Sequence, residues 1–419
     1  MWSAERYIRE CVEMESKPSL SLHRAVDKLI FDRRSTELLN RASHLCSALW
    51  LPSQIPLATD HGIQHHTNLF AIAARLLTPI LSAAPSFLSS SELLCLLGSI
   101  YFHDCGLAVS EWVDGEGRVR LPLQVIRAEH PLLAYARLQA GLLQSGLYDS
   151  DIIYDLLMGE DGPGATWGSS RSEVWYRYLQ AMATVSVYHV LRYPLYSRGE
   201  EAESFVDVQV LRASQSHTVN ALAERGPLFC HTEWIAPRRL VLLACLLRMI
   251  DCLDTGLARL DRDGGRERRC WIEAEWHNAS RRCDQMSTTI REYEPLLTSM
   301  GISLDWPAHN YHDPAIWKKL DILPENIRSG IVRYNLELLR KDYLKSQIEF
   351  INDNARIRSI QIRASFEGGG DFLVDVECRP QNSCPEFEVA FANLQRNYRD
   401  SQTREVLYSA GVTFSFTGG

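Results

Sequence analysis

The sequence predicts a mainly α protein, a helical bundle followed by a small α+β module at the C-terminus. Three observations carry that expectation. Apolar residues recur at spacings of three and four, as in LHRAVDKLIFDRRSTELLNRASHLCSALW and NLFAIAARLL. A strongly apolar helix, RRLVLLACLLRMIDCLDTGLARL, follows later in the chain. Period-two alternation appears late, in RIRSIQIRASF and DFLVDVECRP on either side of the Gly-rich reversal EGGG, which is a hairpin signal.

Taken in order, residues 1–55 read as a helical cap on the bundle, which spans residues 56–300. Within it, the Gly- and Ser-rich segment MGEDGPGATWGSSRSE, residues 158–173, reads as a loop or lid at a functional site. PLYSRGEEAESFVDVQVLRASQ reads as an insertion near His189, and WHNASRRCDQMSTTIREYEPLLTSMG continues the helical domain. Residues 301–419 form the α+β module: loops, the long amphipathic helix ending near KSQIEFIN, the hairpin, and a last strand in the tail EVLYSAGVTFSFTGG. The terminal Gly418-Gly419 pair is read as an ordinary chain end.

With 419 residues, 46% hydrophobic and 23% charged, the chain is long enough for two or three domains with sizeable cores. The first residues, MWSAERYIRECVEMESKPSL, lack the apolar stretch of a signal peptide. Arg248 and Asp251 interrupt the longest apolar run, so no membrane span of about 20 residues is expected. The 11 cysteines include no CxxC pair and read as free thiols, and the expected compartment is the cytoplasm. A net charge of −8 does not favour polynucleotide backbones, although RDGGRERR, from Arg262 to Arg269, is a local basic run.

The run IYFHDCGLA places His103 and Asp104 side by side at an apolar helix. Burying such a pair is costly unless a divalent cation takes the imidazole nitrogen and the carboxylate oxygen together. Further donors flank it. His61, His65 and His66 head an apolar helical run, His130 opens EHPLLAYARLQAGLL, and His189 ends AMATVSVYHV. Asp251 and Asp254 lie on the apolar helix that follows. One His on an apolar face is as readily a core residue as a ligand; five such elements in a row make a shared cation the better account. Open coordination positions suit Mn, Mg, Fe, Co or Zn. Arg127, Arg192 and Arg248, each three residues from one of these His or Asp residues, are candidates to clamp a phosphate.

The order His, His-Asp, His, His, Asp resembles the HD superfamily of metal-dependent phosphohydrolases over roughly residues 55–265. HxxNLFAIAARL, IYFHDCGLA and LLRMIDCLD carry that resemblance most specifically. They look most like a prokaryotic branch found among conflict and defence proteins, often beside chaperone-type ATPases, which here would be a separate chain. The resemblance implies an HD-type helical bundle over 56–300, with His65, His103, Asp104 and Asp251 as metal ligands. His61 rivals His65, and Asp254 rivals Asp251. It implies one or two ions, with His130 and His189 either further ligands or catalytic groups, His130 as a general acid that Asp114 would orient.

The function so implied is hydrolysis of a nucleotide, either a dNTP or a nucleotide signal, with metal-bound hydroxide as nucleophile, in prokaryotic antiviral defence. The alternative is a nucleotide-sensing module that regulates a partner protein through the C-terminal module. A homo-oligomer is also compatible with the resemblance.

Overall fold

The computed structural model describes residues 39, 42, 46, 63–107, 123–143, 181–191, 237–260, 265–304, 319–381 and 386–418. The bundle opens with α1 (Ile63–Ala83), which buries Leu69, Phe70, Ala73, Leu76, Leu77 and Ile80 as one stripe at spacings of three and four. α2 (Ser90–Phe102) starts on a capping box: Ser89 Oγ accepts from the Glu92 amide at 3.2 Å, and Glu92 Oε2 accepts from the Ser89 amide at 2.8 Å. Arg239 donates to the same carboxylate at 2.6 and 2.9 Å. Burial alone would raise the Glu92 pKa; Arg239 and the cap more than offset it and hold it low. Every residue from Glu92 to Phe102 is buried, so α2 is the central helix.

α2 ends at the His-Asp doublet. The amide of His103 donates to Ser99 O at 2.9 Å, Asp104 follows, and Cys105–Leu107 form a 3-10 turn. α3 (Leu123–Leu143) lies directly against that turn. A Cβ on Gly106 would stand 1.9 Å from the His130 carbonyl oxygen, so only glycine permits this approach. Residues 181–187 are helical and buried, and turn at 188–190. α4 (Pro237–Leu253) is buried from Leu240 to Ile250 and leads into a 3-10 turn at Leu257–Arg259.

Beyond the bundle, α5 (Arg266–Ile290) is followed by the short α6 (Glu294–Ser299) and pairs with α7 (Glu325–Arg356). Ile272 and Ala279 of α5 share a small core with Tyr343, Leu344 and Ile351 of α7. α7 runs straight into β1 (Ile357–Gly368), which reverses into the antiparallel β2 (Asp371–Pro380). Gly368, Gly369 and Gly370 have φ of 96°, 66° and 100°, the region that side chains resist. The short helices α8 (Phe387–Leu394), α9 (Arg396–Arg399) and α10 (Ser401–Ser409) carry the chain across to β3 (Val412–Gly418), parallel to β2. The sheet order is β1-β2-β3.

Phe372, Val374, Val376 and Cys378 alternate inward along β2 and belong, with Leu407, Val412 and Phe414, to the same hydrophobic core as α1, α2 and α4. The mainly helical architecture with a small C-terminal sheet is therefore the one the sequence predicts, and the hairpin falls on the expected strands. Of the N-terminal segment, Leu39, Ala42 and Cys46 are helical and buried, and Cys46 Sγ donates to Tyr101 O at 2.8 Å. The rest of that segment, the 158–173 loop and the insertion after His189 lie outside the described residues. The described cysteines are free thiols, and Cys105 is fully buried packing. Among the described residues, no helix is long and apolar enough to cross a membrane.

Candidate metal centre

Four histidines converge where the ends of α2, α4 and residues 181–187 meet the flanks of α1 and α3, and each has its Nδ1 engaged. His103 Nδ1 lies 2.9 Å from Ile100 O, and His189 Nδ1 lies 2.5 Å from Ser186 O. Both acceptors are carbonyls at helix ends, where intrahelical partners run out. His130 Nδ1 reaches Arg127 O at 2.6 Å in mid-helix. That carbonyl is open because Pro131, four residues on, has no N–H to give it. His65 Nδ1 lies 2.6 Å from Asp254 Oδ2. Carbonyl acceptors place a proton on Nδ1 of His103, His130 and His189, and all four rings turn Nε2 inward.

These Nε2 atoms and two carboxylates form two adjoining groups, linked by a third made of His103, His189 and Asp251. In the first, His65 Nε2 lies 3.2 Å from His103 Nε2, 3.6 Å from Asp104 Oδ2 and 3.4 Å from Asp251 Oδ1. His103 Nε2 stands 3.2 Å from Asp104 Oδ2 and 3.8 Å from Asp251 Oδ1. In the second, His130 Nε2 lies 3.1 Å from Asp104 Oδ1 and 3.3 Å from His189 Nε2, and His189 Nε2 lies 3.7 Å from Asp104 Oδ1. Ligand atoms bound at about 2.0–2.2 Å from one ion stand roughly 3–3.6 Å apart. The distances fall in or just beyond that range, the longest being 3.8 Å in the first group and 3.7 Å in the second, and Asp104 gives one oxygen to each. A buried His/Asp cluster that could hold a divalent cation is thus present.

Electrostatics follow from this crowding. Burial disfavours the His103 imidazolium, yet Asp104 and Asp251 outweigh it and push His103 up to about 10. Burial, with His103 and His130 adding repulsion, pushes His189 down to about 3. Burial would raise Asp251, but hydrogen bonds from His103 and His65 hold it well below the carboxylate range.

A supporting layer surrounds His65. Asp254 accepts from Arg259 at 2.7 Å on Oδ2 and from Asn68 at 3.0 Å on Oδ1. Burial is opposed at Asp254 by the Arg259 charge, which keeps the carboxylate ionised. Arg259 also makes close contact with His65 Nδ1, and its guanidinium lies 5.7 Å from the Phe350 ring centre. α7 holds the turn that carries this layer: Asn354 Oδ1 accepts from the Gly256 amide at 2.7 Å and from Thr255 Oγ1 at 2.9 Å.

Of the residues singled out in the sequence, the structure brings together His65, His103, Asp104, His130, His189 and Asp251. Asp254, the rival to Asp251, faces the outer nitrogen of His65 instead of the cluster. His66 turns to the Tyr101 ring, centroids 5.7 Å apart. Arg248, expected as a phosphate clamp, is 1% exposed and fully engaged elsewhere, on Tyr188 O, Val190 O and Thr403 Oγ1. Buried and bonded through all three of its nitrogens, this guanidinium is not free to clamp a ligand. Arg127 is half-buried, 6.0 Å from the Tyr343 ring centre. His61, Asp114, Arg192 and the stretch 262–264 of the basic run lie outside the described residues. Sequence reasoning passed over Arg259, Asn68 and Asn354. It also passed over Pro131, whose position just after a candidate ligand was a readable signal.

Residues 55–189 match the HD-CE family model, so this span is similar to an HD-like domain. The matched span holds His65, His103, Asp104, His130 and His189, and ends before Asp251. No curated protein matches the chain, and no solved structure does either.

Proposed function

We propose, from the HD-like domain and its buried cluster, that the protein is an HD-type metal-dependent phosphohydrolase acting on a nucleotide, with two cations sharing Asp104. The observation that carries this reading is the set of four inward Nε2 atoms packed with two carboxylates. Ring nitrogens 3.2–3.3 Å apart need a proton or a cation between them, and a divalent cation can serve both pairs. The donors fit Mn, Fe, Mg, Co or Zn. When bound, such cations polarise phosphoryl oxygens and lower the pKa of a water they hold.

The chain's own residues do the rest. His65, His103, Asp104 and Asp251 would hold one ion, and His130, His189 and Asp104 the other. The backbone carbonyls behind His103, His130 and His189, and Asp254 behind His65, keep the rings from turning. Asp251, with 29% of its side chain exposed, and His130, with 12%, are the members that solvent reaches, so substrate would approach from their side. Arg127, one turn before His130, is the described arginine placed to meet a phosphate there. With every His130 nitrogen accounted for, ligation is favoured over the general-acid role.

In this reading the enzyme acts in the cytoplasm on a dNTP or a nucleotide signal and serves antiviral defence. The test is phosphate release from a nucleotide panel with Mn, wild type against Asp104→Ala, joined to a phage plaque assay with the same pair. Release by wild type alone supports the proposal, and its absence across the panel contradicts it. The alternative, a nucleotide sensor that regulates a partner protein, is favoured by one observation, the core shared between bundle and C-terminal module. It predicts nucleotide binding without phosphate release.

A further inference from the structure

We infer that the C-terminal module sets the second half of the cluster through Arg248, making Thr403 and Asp400 positioning residues for His189. The inference rests on the two-ion reading above. Arg248 sits on α4, one turn before Asp251, and its side chain leads away from the cluster and around the back of His189. Nε donates to Tyr188 O at 2.5 Å and Nη2 to Val190 O at 3.0 Å, the carbonyls immediately before and after His189. Residues 188–190 lie in a turn beyond the helical 181–187, where intrahelical partners have run out. The Nδ1 bond to Ser186 O fixes the His189 ring relative to that helix end. The guanidinium fixes the main chain on which the ring is mounted.

The other side of Arg248 belongs to the module. Nη1 donates to Thr403 Oγ1 at 2.9 Å and lies 3.6 Å from Asp400 Oδ2. Thr403 Oγ1 gives its own proton to Asp400 Oδ2 at 2.7 Å, which turns its lone pairs toward Arg248. Asp400 caps α10 by accepting from the Thr403 amide at 2.8 Å. Thr403 is fully buried. A guanidinium buried at 1% needs all of these partners, so its fork geometry is dictated jointly by the His189 turn and the start of α10. Seating of α10 is thereby tied to the position of one ligand. The strap reaches the cluster at His189, so its loss acts on the His130–His189 half and leaves the His65–His103 half in place.

The test titrates metal-free, full-length chains with Mn and resolves the two binding steps by calorimetry. Thr403→Val removes the hydroxyl while filling its space. It is expected to weaken the second step about tenfold to a hundredfold, the range for lost outer-layer support, and to leave the first step unchanged. Thr403→Ser keeps the hydroxyl and is expected to bind both ions as wild type does. Leu407→Ala, a fully buried change on the same helix, is expected to lower stability without weakening the second step. Should Thr403→Val not fold, Asp400→Asn carries the test, with a smaller loss in the same step.

An unchanged second step in Thr403→Val, or an equal loss in Leu407→Ala, overturns the inference while leaving the two-ion reading intact. Fewer than two ions on the wild type overturns both.

Discussion

His65 and His103 point their Nε2 atoms at one another across 3.2 Å, although each ring has its Nδ1 proton committed, to Asp254 and to Ile100 O. Two lone pairs held face to face are unfavourable unless a cation or a proton stands between them, and the fold spends several side chains on keeping them there.

Asp254 is the first of those side chains. Replacing it with Asn removes the charge that fixes the His65 proton on Nδ1 and that balances buried Arg259. Asp254→Asn is expected to bind Mn about 10–100-fold more weakly than wild type while keeping its far-UV circular dichroism. Equal affinity would mean that the His65 ring is held by packing alone.

The pH dependence of the metal-free protein has two limbs of opposite sign. His103 titrates in the fold at about 10 against 6.5 unfolded, so its proton contributes stability that is complete below 6.5 and is lost as pH rises through 10. His189 titrates at about 3 in the fold, so below 6.5 the unfolded chain gains a proton the fold refuses, and stability falls toward pH 3. The chelated protein is expected to melt highest near neutrality and to lose Tm on the alkaline side. A cation that replaces the His103 proton removes the alkaline loss. Melting curves from pH 5 to 10, with chelator and with Mn, check this; superimposable profiles count against it.

Gly106→Ala forces a methyl to within 1.9 Å of His130 O and 2.7 Å of Ala134 N, both backbone atoms that cannot step aside without moving α3. Overpacking of this kind costs about 1–3 kcal/mol. Because the displaced atom belongs to His130, the variant is expected to lose its second ion before its first. A denaturant midpoint matching wild type would show that α3 stands farther away.

Arg248→Met keeps much of the side-chain volume and deletes three charge-assisted donors, leaving Tyr188 O, Val190 O and Thr403 Oγ1 without them. Unfolding by urea is expected to show a loss of about 3 kcal/mol. A loss below about 1 kcal/mol would mean water replaces the guanidinium.

Much of this was legible in the chain itself. The donors could be read because the doublet at His103-Asp104 and the outlying His and Asp residues each interrupt apolar helical runs, and the hairpin because its alternation brackets EGGG. Arg248 could not be read correctly. Spacing of three placed it beside Asp251, but its side chain is claimed by Thr403, 155 positions away, and no local pattern encodes that. The same holds for Asn354, 98 residues from the turn it holds. Asp254 was visible as a carboxylate beside Asp251; only the fold turns it toward the outer nitrogen of His65.

The central claim is a two-cation cluster bridged by Asp104, and metal content per chain tests it most directly. Elemental analysis of Mn-loaded, buffer-exchanged protein should find two ions on the wild type, one on His130→Ala, and none on Asp104→Ala with the fold intact by circular dichroism. Fewer than two ions on the wild type, or undiminished metal in Asp104→Ala, would contradict the account.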